Sequence, residues 1–234
     1  MVFAAGLGTR LQPLTLTRPK ALVEVGGKPL LEIALRNLER AGCTGAIVNV
    51  HYLADQIINW LSRHSFDMEV LISDERDLLL DTGGGLLKAA WFLRDAPFLV
   101  YNSDIITDMN LAEFYRRHIS SDALATLAVR RRSSSRYLLF DENGLLCGWR
   151  NAKTGEERTA RPAAASEPMA FSGIHAVNPA IFDFMPAGQQ VFSMIDVYLQ
   201  AAATQLIRAY PHDADWWLDV GTPEALKKAA ERLR

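Results

Sequence analysis

Short apolar runs alternate with amphipathic helical patterns through the first two-thirds of this 234-residue chain. Each run suits one buried strand, and the segments between the runs carry leucines on one helical face. Such alternation is typical of a parallel sheet covered by the helices that connect its strands. The predicted strands are residues 2–5, 46–50, 68–72, 97–101 and 123–129, and the predicted helices are residues 29–41, 53–64, 84–94 and 111–118.

The pattern changes beyond residue 130. Residues 137–140 and 145–149 flank Asp141-Glu142-Asn143-Gly144, which is typical of the turn in an antiparallel hairpin. Residues 151–168 are polar and rich in alanine, and we expect a mobile loop that covers a substrate. The remaining predicted strands are residues 169–177 and 206–210, and the remaining predicted helices are residues 192–204 and 222–233. The predicted fold is α/β, a Rossmann-like, mostly parallel sheet flanked by helices, with a smaller antiparallel section.

Composition excludes several classes of protein. A net charge of -2 provides no basic field for a nucleic-acid partner. No apolar run approaches the roughly 18 residues that span a bilayer, so we expect no membrane partner. Cys43 and Cys147 indicate neither a disulfide framework nor a zinc site, which suits a reducing cytoplasm. We expect one cytoplasmic domain, residues 1–234, as a monomer or small homo-oligomer, whose natural start lies slightly upstream of Met1 or was trimmed.

A glycine-rich loop follows the first predicted strand. Gly6 and Gly8 allow the backbone to approach a ligand and to point N–H groups at it, which suits phosphate oxygens. Arg10 and Lys20 add positive charge, and a guanidinium can bind two oxygens at once. A dinucleotide-binding fingerprint needs a third glycine where Leu11 stands, so that class is excluded. The loop therefore predicts an anion cradle.

Three further segments are candidates for the same site. Asp81-Thr82-Gly83-Gly84-Gly85 precedes a predicted helix, where free N–H groups favour an acceptor-rich ligand, although a flexible loop is the alternative. Asp104, in Asn102-Ser103-Asp104, emerges at the carboxyl end of a predicted strand, where open α/β sheets bind ligands. Asp219 lies in Trp217-Leu218-Asp219-Val220-Gly221-Thr222-Pro223. Alone, each aspartate could instead cap a helix or end a strand.

The opening motif resembles the signature of the sugar-nucleotidyltransferase family. That signature is Gly-x-Gly-x-Arg-Leu-x-Pro-Leu-Thr, followed by Pro-Lys and by Gly-Lys-Pro-Leu. The matching residues are Gly6, Gly8, Thr9, Arg10, Leu11, Pro13, Leu14, Thr15, Pro19, Lys20, Gly27, Lys28, Pro29 and Leu30. The resemblance covers nearly the whole chain and implies a nucleotide-diphospho-sugar transferase type of fold. It implies a nucleotide-binding part up to about residue 130, and a sugar-binding part with a closing helix beyond it.

The resemblance also implies roles for individual residues. Arg10 would hold the phosphates of a nucleoside triphosphate, and Lys20 would face the reacting phosphates. Asp104 and Asp219 would bind one Mg²⁺, and few carboxylates with phosphate and water are what this ion prefers. The implied sugar-binding residues are Gly173, in Phe171-Ser172-Gly173-Ile174-His175, and Asp104. The implied nucleotide-binding residues are Ala5, Gly6, Gly8, Thr9, Arg10, Gly84, Gly85 and Asn102.

The implied reaction is attack by a sugar 1-phosphate on the α-phosphorus of a nucleoside triphosphate, with release of pyrophosphate. No general base is needed, because a phosphate monoester has a second pKa of about 6 and is already largely dianionic at neutral pH. The sequence departs from the family where many relatives carry Glu-Lys-Pro, since Ser166-Glu167-Pro168 has no lysine. Residues 130–132 and Arg136 either form a solvated loop or include an arginine that binds an acidic group on the sugar.

Substrate choice follows from finer similarities. Three segments, 81–85, 171–174 and 219–222, are most similar to those of family members that use UTP and N-acetylmuramate 1-phosphate in peptidoglycan recycling. GTP with mannose 1-phosphate, dTTP with glucose 1-phosphate and a choline-phosphate cytidylyltransferase are alternatives. Because no hexapeptide repeats are present, we expect neither an acetyltransferase part nor an allosteric glucan-pathway enzyme. An inactive regulatory homologue is the alternative from a different class.

Overall fold

A computed structural model describes residues 1–232 of the chain. Its strands are β1 (Val2–Phe3), β2 (Glu24–Val25), β3 (Lys28–Pro29), β4 (Gly45–Val50), β5 (Glu69–Asp74), β6 (Phe98–Asn102), β7 (Ile105–Thr107), β8 (Ala125–Arg130), β9 (Arg136–Phe140), β10 (Leu146–Asn151), β11 (Glu157–Thr159), β12 (Glu167–Val177), β13 (Ile207–Pro211) and β14 (Trp217–Asp219). Its α-helices are α1 (Leu30–Arg40), α2 (Ala54–Leu61), α3 (Asp81–Lys88), α4 (Ala90–Leu93), α5 (Leu111–Ile119), α6 (Met194–Ala202) and α7 (Pro223–Arg232). Among these described helices, none combines the length and the apolar composition that a bilayer crossing requires.

The chain forms two compact units, each assembled from separate stretches of sequence. Unit 1 contains Met1–Leu80, Tyr101–Ala112 and the described residues from Trp216 onwards, and unit 2 contains Asp81–Val100 and Glu113–Asp215. The predicted functional division at about residue 130 stays a prediction. The predicted last helix is observed as α7, whereas its predicted final residue, Leu233, lies outside the described residues.

Unit 1 is built on a parallel sheet in the order β5-β4-β1-β6, to which β6 contributes Tyr101 and Asn102. Val2 at its centre pairs with Val48 on one side and with Tyr101 on the other. Helices α1 and α2 connect successive strands, as the alternating pattern predicted. Helix α1 begins one residue later than predicted, because Pro29 is extended and closes the β2–β3 hairpin. Its leucines on one face are buried, which confirms the predicted amphipathic pattern.

A small hydrophobic core in unit 1 holds together segments that are distant in sequence. It includes Leu11 of the glycine-rich loop, Leu30 of α1, Ile106 of β7 and Val220 beyond β14. Strands β7 and β14 pair in an antiparallel ribbon, and Ala229 of α7 completes the cluster. Each core residue lies within two positions of a charged residue in the sequence, so the packing of this core fixes the positions of the charged side chains beside it.

Unit 2 contains a mainly antiparallel sheet in the order β11-β10-β9-β12-β8-β13, with β13 parallel to β8. The predicted hairpin is confirmed as β9–β10, and Gly144 in its turn has a φ of 70°. The predicted loop at residues 151–168 is interrupted by strands, because β11 pairs with β10 and β12 already begins at Glu167, whereas residues 152–156 and 160–166 lie outside strands and helices. All three residues of strand β11 are polar and exposed, so the strand carries no apolar alternation by which a sequence pattern could reveal it.

The glycine triplet at residues 83–85 lies inside α3, which corrects the prediction of a loop ahead of a helix at 84–94. The helical region is divided into α3 and α4, and Asp81 at its start has a φ of 59°. The Gly83 N–H donates to the carbonyl of Phe192 at 2.8 Å. A Cβ on Gly83 would lie 2.3 Å from the Phe192 ring, so the glycine is required for packing inside unit 2.

Candidate active site

The two predicted metal-binding carboxylates lie at neighbouring positions of the β7–β14 ribbon in unit 1. Asp219 is the pairing partner of Ile105, and the N–H of Val220 donates to the carbonyl of Asp104 at 2.8 Å. Ile106 and Val220 are 3% and 0% exposed, so the core fixes the ribbon beside both aspartates. The structure therefore brings Asp104 and Asp219 together, as the family resemblance implied.

Each of these carboxylates faces one of the two predicted phosphate-binding cations. The Lys20 ammonium makes an ion pair with Asp104 Oδ2, and the side chains are only 13% and 21% exposed. Arg10 Nη2 lies 3.8 Å from Asp219 Oδ2, and this pair is more open, at 62% and 38% exposed. All four predicted catalytic residues thus lie in unit 1 as two adjacent ion pairs.

The glycine-rich loop owes its shape to Gly8. This residue has a φ of 65°, which glycine adopts without strain. A Cβ here would lie 2.9 Å from Thr15 Cγ2 and 3.0 Å from Lys20 Cβ. The buried Thr15 hydroxyl donates to the Gly8 carbonyl at 2.7 Å. Nothing stands within 4 Å of the position of a Cβ on Gly6, so the backbone there faces open space, as a ligand cradle requires.

Gly221 keeps the space beside the Arg10–Asp219 pair clear. A Cβ at this position would lie 2.4 Å from Arg10 Nη2 and 2.7 Å from Asp219 Oδ1. Sequence analysis assigned no role to Gly221, although its place directly after the Asp219-Val220 pair was the available signal. Thr222 caps α7, since its hydroxyl accepts from the Ala225 N–H at 3.3 Å.

The donor set at this site suits a magnesium ion. Asp104 and Asp219 offer carboxylate oxygens, the ligands that Mg²⁺ prefers, and two protein ligands leave the remaining positions to phosphate and water. The close approach of Gly221 leaves no side chain to fill the volume beside Asp219. The residues present therefore fit the ion.

Gly173, the predicted sugar-side residue, lies in unit 2 at a bulge in β12. The pairing of β12 with β8 shifts register between Phe171 and His175, and Gly173 within that interval has a φ of 77°. A residue with a side chain would be strained in this conformation. The backbone shape agrees with the bulge that a glycine inside a strand indicates.

A buried Ser–His–Asp arrangement stands next to this bulge, and sequence analysis missed it. His212 Nε2 is 2.8 Å from Ser172 Oγ, and His212 Nδ1 is 3.5 Å from Asp215 Oδ2. Ser172 is 0% exposed, so no substrate can reach its hydroxyl, and the cluster supports the strand. Nearby on β12, burial lowers the pKa of His175 to about 3, which keeps that imidazole neutral.

The arginines at residues 130–132 make hydrogen bonds within unit 2, and the Arg131 side chain is still 56% exposed, which agrees with the interpretation as a solvated loop. Arg130 donates to the carbonyls of the turn at residues 213–215, and Arg132 donates to the Phe171 carbonyl at 3.0 Å. Hydrogen bonds to Glu167 and then to Asp213 raise the pKa of the Arg131 guanidinium. Sequence analysis missed these contacts because their partners lie more than 30 residues away along the chain.

Comparison with known proteins agrees with this geometry. The family model described as nucleotidyl transferase matches residues 1–234. An N-acetylmuramate alpha-1-phosphate uridylyltransferase of Caulobacter vibrioides is 34% identical over 100% of this chain and 96% of its own length. A protein of the same name from Neisseria meningitidis serogroup B is 32% identical over 98% and 95%. The chain therefore belongs to the nucleotidyl transferase family and is an enzyme of that class.

Solved structures confirm the predicted fold class. A UDP-glucose pyrophosphorylase from Acinetobacter baumanii superposes with a TM-score of 0.81 at 19% identity, covering 99% of this chain and 91% of that one. HddC from Yersinia pseudotuberculosis gives a TM-score of 0.79 at 24% identity, over 100% and 98%. At such identities the likeness concerns the fold, a mostly parallel sheet flanked by helices with smaller antiparallel sheets.

Proposed function

We propose that this enzyme transfers a nucleotidyl group from a nucleoside triphosphate to a sugar 1-phosphate, producing a nucleotide sugar and pyrophosphate. The observation that carries the proposal is the convergence of Arg10, Lys20, Asp104 and Asp219 in unit 1 beside an open glycine-rich loop. The relatives named above support it, because their names specify uridylyl transfer to N-acetylmuramate 1-phosphate.

The chemical difficulty is repulsion between two anions, since the sugar phosphate is already a competent nucleophile. Two unit charges at 4 Å repel by about 1 kcal/mol in water and about 4 kcal/mol at an effective dielectric constant near 20. Lys20 and Arg10 offset this repulsion by turning from their carboxylate partners to phosphate oxygens. Arg10 is the more exposed of the two and neutralises the leaving pyrophosphate, while Lys20 stands deeper, at the reacting centre.

We also propose that Asp104 and Asp219 hold Mg²⁺ once substrates enter. When bound, the ion supplies positive charge and orients phosphate oxygens. The two aspartates lose their internal counter-ions as Lys20 and Arg10 move to phosphate, and a divalent cation restores the charge balance. The family resemblance implies that Asp104 also contacts the sugar.

For the substrates we propose UTP and N-acetylmuramate 1-phosphate, which implies a role in peptidoglycan recycling in the cytoplasm. The two relatives with this activity in their names match over nearly their whole length. A mannose-1-phosphate guanyltransferase of Yarrowia lipolytica is 29% identical, and this chain covers 61% of it. GTP with mannose 1-phosphate is therefore the second candidate.

Pyrophosphate release over a grid of substrates tests the proposal. UTP, GTP, CTP and dTTP are each combined with the 1-phosphates of N-acetylmuramate, mannose and glucose, with and without Mg²⁺. We expect release that requires Mg²⁺ and is fastest with UTP and N-acetylmuramate 1-phosphate. Release with another pair would correct the substrate and keep the reaction. Absence of pyrophosphate release with every pair would contradict the proposed reaction and favour the inactive regulatory homologue.

A further inference from the structure

A buried chain of hydrogen bonds joins the carboxyl ends of three adjacent strands in unit 1. Asn49 Oδ1 accepts from the N–H of Ala4 at 2.7 Å, and Asn49 Nδ2 donates to Glu75 Oε1 at 2.8 Å. The side chains therefore connect the residue that follows β1 with β4 and with the residue that follows β5. Asn49 is 3% exposed and Glu75 is 1% exposed.

Ala4 is the point at which the backbone leaves the sheet for the glycine-rich loop. Strand β1 ends at Phe3, which pairs with Asn49 in the sheet, and the Asn49 side chain then binds the next N–H along the chain. Beyond Ala4 and Ala5 comes Gly6, where the backbone faces open space. Through this hydrogen bond, Asn49 fixes the backbone at Ala4, directly before the chain enters the glycine-rich loop.

Packing alone does not account for these two side chains. A buried amide or carboxyl group is costly unless its hydrogen bonds are made, and glutamate is rarely buried to this degree. Glu75 is itself fixed through its backbone, because its N–H donates to the Val50 carbonyl at 2.7 Å and its carbonyl lies 2.6 Å from His51 Nδ1. A carboxyl group held in this way orients the Asn49 amide with its oxygen towards Ala4.

We propose that Asn49, oriented by Glu75, is a positioning residue for the nucleoside triphosphate. The Asn49 side chain fixes the position and direction in which the backbone enters the glycine-rich loop. The loop N–H groups are therefore already oriented towards the phosphates before the triphosphate binds, so binding does not have to order the loop. The inference rests on the proposed function, in which this loop binds the triphosphate. Asn49 touches no substrate, and its effect passes through Ala4.

Asn49→Ala removes both hydrogen bonds and leaves the four ion-paired residues in place. We expect the KM for UTP to rise about tenfold, with the KM for N-acetylmuramate 1-phosphate and kcat within about twofold of wild type. Glu75→Gln retains an oxygen that can accept from Asn49 Nδ2 and should keep the KM for UTP within about twofold. Glu75→Ala leaves Asn49 unoriented and should raise that KM about threefold.

Thr126→Val is the matched control. It removes a buried hydrogen bond of 2.9 Å between Thr126 Oγ1 and His118 Nδ1 in unit 2, and therefore destabilises the protein with no effect on the loop. We expect both KM values to stay within about twofold of wild type. An equal change in both KM values of Asn49→Ala, or none, would overturn the proposal.

Hydrogen exchange keeps this test separate from that of the proposed function. In the substrate-free protein, amides of residues 4–11 should exchange at least about fivefold faster in Asn49→Ala than in wild type or Thr126→Val. If wild type turned over no substrate pair, the proposed function would fail while this measurement still decided whether Asn49 holds the loop. Unchanged exchange would overturn the inference. If Asn49→Ala does not fold, Glu75→Ala is measured against Glu75→Gln in both assays.

Discussion

Two clusters of polar side chains in this protein differ in exposure, and that difference distinguishes a cluster that can take part in catalysis from one that only stabilises the fold. In unit 1, Arg10 and Asp219 form a pair that is 62% and 38% exposed. In unit 2, His212 bridges Ser172 and Asp215 in the arrangement of a hydrolase triad, yet the Ser172 hydroxyl is fully buried. Residue types that suit catalysis are therefore insufficient, because the reacting group must also be reachable and able to change partners.

The largest effect should come from removing either carboxylate of unit 1. Asp104→Ala or Asp219→Ala should lower kcat at least about 10³-fold, because the phosphates and the proposed Mg²⁺ lose their anchor. Rates of pyrophosphate release and a thermal melt of each variant measure this. The control is Asp122→Ala, which removes an exposed partner of Arg208 and should keep wild-type turnover. Near wild-type release from both active-site variants would contradict the proposed roles.

Gly221→Ala should have the next largest effect. Its methyl group would meet the Arg10 guanidinium at 2.4 Å and displace it from its place beside Asp219. We expect kcat/KM for the nucleoside triphosphate to fall about 10²-fold, since misplacing a charged group by about 1 Å costs this much. Steady-state kinetics with UTP measure the loss. Gly42→Ala is the comparison, because its φ of 86° strains the backbone while its methyl group meets nothing within 4 Å. An equal loss in Gly42→Ala would contradict the explanation through Arg10.

Gly173→Ala tests the sugar-side prediction in unit 2. Its φ of 77° costs a residue with a side chain about 1–2 kcal/mol, and we expect the KM for the sugar 1-phosphate to rise about tenfold. Gly155 has a φ of 75° with open space around it, so Gly155→Ala carries similar strain without the bulge. Denaturant unfolding and KM are measured for both. If the two variants change KM alike, strain alone explains the result.

The smallest effect on catalysis should come from Ser172→Ala. This variant should lower the free energy of unfolding by about 1–2 kcal/mol, because His212 loses a buried hydrogen bond. Activity per folded molecule should stay within about twofold of wild type. Unfolding in urea and turnover at a temperature well below the melting point provide the two values. A loss of turnover beyond about 10²-fold would show that the buried Ser172 takes part in catalysis, and exposure would then fail to distinguish the two clusters.

Much of unit 1 could be predicted from the sequence because its signals are local. The apolar strands and amphipathic helices were located within a few residues, and the loop motif indicated Arg10 and Lys20. The convergence of Asp104 with Asp219 could be expected only through the family resemblance. Ile106 and Val220 are far apart in the sequence, and no sequence pattern indicates that they belong to one hydrophobic core.

The misses in unit 2 have physical reasons. Strand β11 is exposed and has no apolar alternation, so it was assigned to a loop. The glycines of α3 have poor helix propensity, and only the tertiary contact of Gly83 with Phe192 shows why they are helical. In unit 1, the buried polar pair of Asn49 and Glu75 was missed as well, because the two residues are 26 positions apart, a separation that periodicity does not report.

A crystal structure with Mn²⁺ and a non-hydrolysable UTP analogue tests the central claim most directly. The account predicts an anomalous peak for the ion bound by Asp104 and Asp219, with the Lys20 ammonium moved from Asp104 to a phosphate oxygen and the triphosphate along the glycine-rich loop. An ion bound elsewhere, or a triphosphate that leaves the Lys20–Asp104 pair intact, would contradict it.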